Sequence, residues 1–301
     1  MSTPTEIALS GEGNQLRAFP FIKEIFHFYH RYHRLFLKLF VPSVLLGYVA
    51  IKAGLEERTA ILRQIPRGSD WSLHSPELIQ ALLAIQVGYL ISWLLYSFSF
   101  AAVCVAIAKI DSGEVPTSEE CFGPMRSRIG PFLRIAFTLY FLLILAVVIA
   151  SVLSIGLLRT LERISPRVVV SQAWWIELAF FALAFVVVSR FALAMPAVVL
   201  DEYGIREALF RSDELTEKCW GVLTLLLAES VGSSYVANRM EFWLARFIPE
   251  VTRPQWWWGS VFLVFQLMVG IAVQPPLFIG WAQLYLTKRH VPNELGGPAV
   301  S

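Results

Sequence analysis

The sequence predicts an all-α polytopic membrane protein: a bundle of six transmembrane helices with short interfacial amphipathic helices. Three observations carry that reading. Of 301 residues, 56% are hydrophobic and only 16% charged, with a mean hydropathy of +0.59; a water-soluble domain carries roughly a quarter charged residues. Six apolar stretches each reach the roughly 20 residues a helix needs to cross a bilayer. Short charged segments with turn residues separate them. The charge deficit decides between several spans and two soluble domains, because too little charge remains to cover a water-facing surface of this length.

Residues 1–18 read as a disordered polar tail, 19–290 as one six-helix membrane domain, and 291–301 as a second tail. No cleavable leader is visible, since the polar start is followed by a basic, aromatic run. The first span then reads as an uncleaved anchor. From Phe19 to Arg34 the chain runs FPFIKEIFHFYHRYHR. Ile22, Ile25, Phe26, Tyr29 and Tyr32 recur at helical spacing among Lys23, His27, His30, Arg31 and Arg34, which predicts a helix lying in the membrane interface. His27, His30 and His33 fan across about 120° of such a helix, too wide for three ligands on one ion without help from elsewhere. No metal site is expected there.

The six stretches run Leu35–Gly54, Leu78–Ile110, Phe132–Leu158, Trp174–Leu200, Cys219–Ala237 and Trp256–Thr287. The sixth contains Pro275 and Pro276, which remove two backbone donors and are expected to bend or interrupt it. The connectors differ in character. In 111–131, a turn at Ser112-Gly113 precedes Thr117, Glu119 and Glu120, the pattern of a helix start with acids in its first turn. In 201–218, Ile205, Ala208, Leu209 and Leu215 alternate with Arg206, Glu207, Arg211, Asp213 and Glu214, again a short amphipathic helix, for which Asp201 and Glu202 would supply N-terminal acids. The segment Tyr235–Ile248 places Met240, Trp243, Leu244 and Phe247 on one side and is expected to skim the outer interface.

With an even number of spans both termini share a side. Placing them in the cytoplasm of a cell-membrane protein puts fourteen Lys and Arg inside and ten outside, the direction of the positive-inside rule. The same assignment sets Trp71, Trp174, Trp175 and Trp256–Trp258 at the outer boundary, as an aromatic belt requires. Cys104, Cys121 and Cys219 form no CxxC pair, so neither a disulfide framework nor a zinc site is expected. A net charge of +2 gives no footprint for nucleic acid.

Arg190 is the charge that most needs an explanation. On a continuous fourth helix it lies about 15 Å from the cytoplasmic end, at 1.5 Å per residue. Glu229, about ten residues into the fifth stretch, comes level with it. An isolated charge in hydrocarbon costs several kcal/mol, so a pair or a wet cavity is expected. Ser230 and Ser233 would allow close helix approach or water entry, and Gln266 and Gln274 are further candidate partners. Two readings stay open: an Arg190–Glu229 pair that fixes helix register, or a polar cavity for a lipid headgroup or small solute. Pro196, six residues beyond Arg190, is expected to break or kink the fourth helix.

The run Ser189-Arg190-Phe191, Pro196-Ala197-Val198-Val199-Leu200-Asp201, Gly204, Glu207-Ala208-Leu209, Arg211-Ser212, Leu215-Thr216 and Trp220 resembles the membrane domain that accompanies some bacterial glycerophosphoryl diester phosphodiesterases, and related stand-alone six-helix membrane proteins. The match covers about thirty residues. At the carboxyl end this chain has Gln283-Leu284-Tyr285-Leu286-Thr287-Lys288-Arg289, where that family tends to an acidic Tyr-Tyr-Asp-Leu-Arg-like sequence. The resemblance implies a six-helix bundle. It does not imply phosphodiesterase activity, because the catalytic barrel of such enzymes has no counterpart here.

No HExxH, GxSxG, P-loop or paired intramembrane aspartates occur, so neither an enzyme nor a cofactor is expected. A scaffold or accessory membrane domain ranks first, its partners being the lipid bilayer and either another membrane protein or a second copy of itself. A small-solute or lipid transporter using a polar site near Arg190 and Glu229 is the alternative, supported by the proline-bearing sixth span.

Overall fold

The computed structural model describes residues 18–64, 76–164, 186, 189–217, 219–222, 224, 226 and 255–289. Among these, all regular structure is helical: α1 (Ala18–Gln64), α2 (Pro76–Asp111), α3 (Ser118–Ser127), α4 (Ile129–Ile164), α5 (Ala194–Leu200), α6 (Ile205–Glu217) and α7 (Gln255–Arg289). Among the described residues, three segments are long and apolar enough to cross a membrane: His33–Arg63, Ile79–Asp111 and Ile129–Leu157. Both tails, most of Trp174–Leu200 and of Cys219–Ala237, the segment Tyr235–Ile248, and the belt residues Trp71, Trp174 and Trp175 fall outside the described residues. So do the side chains of Trp256–Trp258.

The first helix is two helices joined at a kink: non-helical angles at Tyr32 (φ −112°, ψ 20°) separate the expected short helix from the candidate span that starts at His33. The short helix does not simply skim a surface: Phe21, Ile25 and Phe28 are buried in the main core. The apolar residues at helical spacing find α7 as their partner. A side chain at Gly280 would meet the terminal methyl of Ile25 at 2.8 Å, so α7 packs closely against α1 there.

Helices α1 and α2 run antiparallel along a seam of small residues. A Cβ at Gly54 would lie 2.8 Å from the Ala84 carbonyl oxygen, and one at Gly88 would lie 2.6 Å from that of Ala50. The missing side chains allow the backbones to touch, the usual device where lipid supplies no hydrophobic drive between helices. Hydroxyls reinforce the seam: Ser43 and Ser99 meet at 2.6 Å, and Ser99 donates to the Leu39 carbonyl at 2.6 Å. On the other side of α2, Trp93 Nε1 donates to the Ala136 carbonyl of α4 at 2.9 Å, and Tyr140 of α4 donates to Gln86.

The short helices gather at one end of the bundle, called the capped end below. Helix α3 begins as the sequence predicts: Thr117 caps it, its hydroxyl accepting from Glu120 N–H while the Glu120 carboxylate accepts from Thr117 N–H. The turn before it uses Gly113 at φ +88°, a conformation that disfavours other residues. Helix α6 matches its predicted apolar side in burying Ala208 and Leu215. The acids at 201 and 202 act differently from expectation. Asp201 ends α5 and accepts a short hydrogen bond from Tyr285 of α7, while Glu202 pairs with Arg128 at the α3–α4 junction. Glu207 instead accepts from Gly204 N–H at 3.2 Å and serves the start of α6.

Candidate functional site: a chamber beside a broken helix

Proline explains where the fourth stretch breaks. Pro196 has no N–H to give the Ala192 carbonyl, and its ring crowds that position. The chain accordingly leaves the helix in a turn at 190–193 and restarts as α5, with Pro196 in the first turn, where a missing donor costs nothing. Helix α6 repairs the gap. Ser212 donates to the Arg190 carbonyl at 2.7 Å and accepts from Leu193 N–H at 3.1 Å, and Thr216 donates to the same carbonyl at 3.1 Å. Both hydroxyl residues are fully buried.

The turn corrects the placement of Arg190. The residue lies in a turn and not on a continuous helix, and its Nε is 3.6 Å from Asp213 Oδ1 on α6, with the two side chains 41% and 42% exposed. An exposed pair of this kind contributes about 0–1 kcal/mol. Its partner among the described residues is therefore an acid of the amphipathic connector. Glu229, Ser230 and Ser233 lie outside the described residues, as does the side chain of Gln266.

Of the expected bend or interruption at Pro275 and Pro276, the interruption does not occur: α7 continues through both. Proline at 275 frees the Ile271 carbonyl, and the Tyr29 hydroxyl of α1 donates to that oxygen at 3.3 Å. A neighbouring helix has taken over the lost donor, which lets α7 continue past the proline.

Between these two proline sites lies a chamber of about 260 Å³. Trp93, Tyr96, Ser97 and Phe100 of α2 form one wall; Leu139 and Leu143 of α4 form a second. The broken segment contributes Ser189, Phe191, Ala192 and Met195, and α7 contributes Gln274, Leu277, Phe278 and Trp281. The volume falls just below the roughly 300–1,000 Å³ common for small-molecule sites. The lining is mostly aromatic and aliphatic, yet Gln274 Oε1 and Trp281 Nε1 are buried without a hydrogen-bond partner. Each such orphan costs about 1–3 kcal/mol. The two residues lie two turns apart on α7, roughly 10 Å along its axis. The Gln274 amide also lies against the Tyr96 hydroxyl.

Gln274 is thus the predicted site residue that the structure brings into a cavity, with Ser189 and Ala192 flanking Arg190 in the facing wall. Tyr96, Ser97 and Trp281 were not singled out from the sequence, where they look like ordinary members of apolar spans. The signal that could have found Trp281 is its seven-residue spacing from Gln274, which puts both on one helical face.

Other chemistry is sparse. Among the described residues, no group of three His, Cys, Asp or Glu side chains is placed to hold a metal ion. His30 and His33 stack at 6.0 Å, with His33 Nδ1 2.9 Å from the His30 carbonyl. The three cysteines are free thiols, all buried. Comparison of the chain with protein-family models, curated proteins and solved structures finds no match in any of the three.

Proposed function

We propose that this is a six-span, non-enzymatic membrane protein, with both termini cytoplasmic, that holds a small, mostly apolar molecule inside its bundle as a lipid-handling or small-solute transport protein. The observation that carries this reading is the chamber. A dry scaffold core would pair its polar atoms, whereas here Gln274 and Trp281, which line an apolar space beside a broken helix, keep an acceptor and a donor buried without a partner. The fitting guest is an acyl chain or similar body with a hydrogen-bond donor near Gln274 and an acceptor near Trp281. Discontinuous helices line many transport sites because their turns expose backbone groups to a cavity.

Chemical extraction and mass spectrometry of the purified full chain test this. A molecule present at about one per chain is expected, and Ala192→Phe, which fills the chamber, should expel it. If nothing co-purifies and Ala192→Phe simply raises the melting temperature, the chamber is a packing defect and the transport reading fails. The scaffold reading then gains, supported by the apolar strip of α4 from Phe141 to Leu157, which is open to lipid or to a partner helix.

A further inference from the structure

A second cavity, a cleft of about 540 Å³, lies at the capped end between α1, α2 and α3. Its floor is apolar, with Phe98, Phe122 and Met125; its rim carries Lys38, Arg126 and Glu119. Several charges nearby are matched: Lys109 with Glu114 and Glu120, Arg128 with Glu202, Arg190 with Asp213, and Arg211 with Glu214. Among the described residues, Lys38, Arg126 and Glu119 have no ion-pair partner, although they share one cleft. Their depth is informative. Helix α3 joins the end of the candidate span Ile79–Asp111 to the start of Ile129–Leu157, so it lies at the level where a bilayer has its headgroups.

We propose that this cleft binds an aminophospholipid, with the phosphate between Lys38 and Arg126 and the ammonium at Glu119. The acyl chains follow the apolar floor. Two cations and one carboxylate over a greasy base match a zwitterionic headgroup, whereas phosphatidylglycerol offers Glu119 only neutral hydroxyls in place of a cation. Glu119 and Arg126 sit two turns apart on one face of α3, roughly 10 Å along the axis, which leaves room for a headgroup between them. The proposal requires the bundle to lie in a bilayer but is independent of what the inner chamber holds.

The test uses the purified full chain in detergent, titrated separately with dioleoylphosphatidylethanolamine, dioleoylphosphatidylglycerol, dioleoylglycerol and free phosphoethanolamine, with bound lipid counted by native mass spectrometry. The phosphatidylethanolamine should bind about tenfold tighter than dioleoylglycerol and several-fold tighter than the phosphatidylglycerol, one factor of ten being 1.4 kcal/mol. Replacing both Lys38→Gln and Arg126→Gln should erase the advantage over dioleoylglycerol. Glu119→Gln should erase only the preference over phosphatidylglycerol. The proposal is overturned if dioleoylglycerol binds as tightly as the phospholipids, if these variants keep the native ranking, or if free phosphoethanolamine competes at the same concentration as the lipid. Chamber-filling Ala192→Phe should leave the ranking unchanged.

Discussion

The two halves of α2 have similar apolar compositions and opposite surroundings. Ile79, Leu82, Leu83, Val87 and Ile91 in the first half hold their side chains on the surface, whereas every residue from Phe100 to Ala106 in the second half is buried. Helices α1 and α4 divide in the same way. Phe36, Leu39 and Phe40 of α1 and Phe132, Ile135 and Ala136 of α4 belong to the core; Leu45, Leu46 and Val49, and Phe141 through Leu157, expose many large side chains. One half of the bundle therefore uses apolar surface against protein and the other leaves it exposed. The difference lies in what covers each half: the capped end carries α3, α5 and α6, whose polar groups reach the end of α2, the start of α4 and the end of α7. In the open half the described contact between α1 and α2 depends instead on the absence of side chains at Gly54 and Gly88.

The largest effect that could break this contrast is a matched pair of truncations. Phe36 is fully buried and Phe141 is 64% exposed. Phe36→Ala should cost about 3 kcal/mol, because the cavity it leaves persists even in a lipid solvent. Phe141→Ala should change stability by under about 0.5 kcal/mol. Unfolding of both variants in the same lipid or detergent gives the comparison directly. Equal losses would mean that the exposed strip of α4 is covered by protein, such as a second copy of the chain.

A subtler pair concerns serine. Ser212 holds together the two sides of the helix break, whereas Ser151 merely donates to the Val147 carbonyl one turn back on its own helix, at 2.8 Å. Ser212→Ala leaves the Leu193 N–H without an acceptor in a buried site, and a loss of about 2 kcal/mol is expected. Ser151→Ala removes a bond whose acceptor remains inside a helix, and a change near zero is expected. Thermal melting of both variants decides the matter; similar losses would show that the break does not depend on α6.

What the sequence made legible follows from what each signal measures. Apolar runs record whether a segment can face hydrocarbon, so the spans held by α1, α2 and α4 were readable. They do not record which half meets protein, because packing against a helix and against lipid select the same side chains. Capping chemistry is local, which is why α3 was readable from Thr117 and Glu120. The break near Pro196 was readable for the same reason. Arg190 was misplaced by assuming that the helix continued through it; once the chain turns, its side chain reaches Asp213, an acid that reads as ordinary solvent-facing charge on an amphipathic helix. Continuity of α7 through Pro275 was illegible because the substitute donor, Tyr29, is 242 residues from the oxygen it serves. The chamber depended on four elements meeting, and no spacing within any one of them announces that.

The smallest predicted effect tests how firmly the cap itself is held. Glu120 accepts from Thr117 N–H and from Lys109, and these contacts, the Thr117 backbone bond first, hold its carboxyl below the ordinary carboxylate range. A lowered value means that the folded state prefers the charged form; the resulting stability is present above the ordinary value and is lost as pH falls through the folded one. Helix α3 should therefore loosen in acid and not at neutral pH. The reporter is Cys121, one residue on, whose thiol is fully buried and pushed up by that burial to about 11. Alkylation of Cys121 at pH 7.5 should be slow in the native protein. Thr117→Ala, which removes the cap at a cost of about 1 kcal/mol, should accelerate it about fivefold. After a pulse of acid to pH 3, a thiol-reactive disulfide that works at low pH should reach Cys121 sooner than the more deeply packed Cys104 of α2. If Cys121 stays closed in both cases, the capping box is not what fastens α3, and the contact of Met125 and Cys121 with the core carries the cap alone.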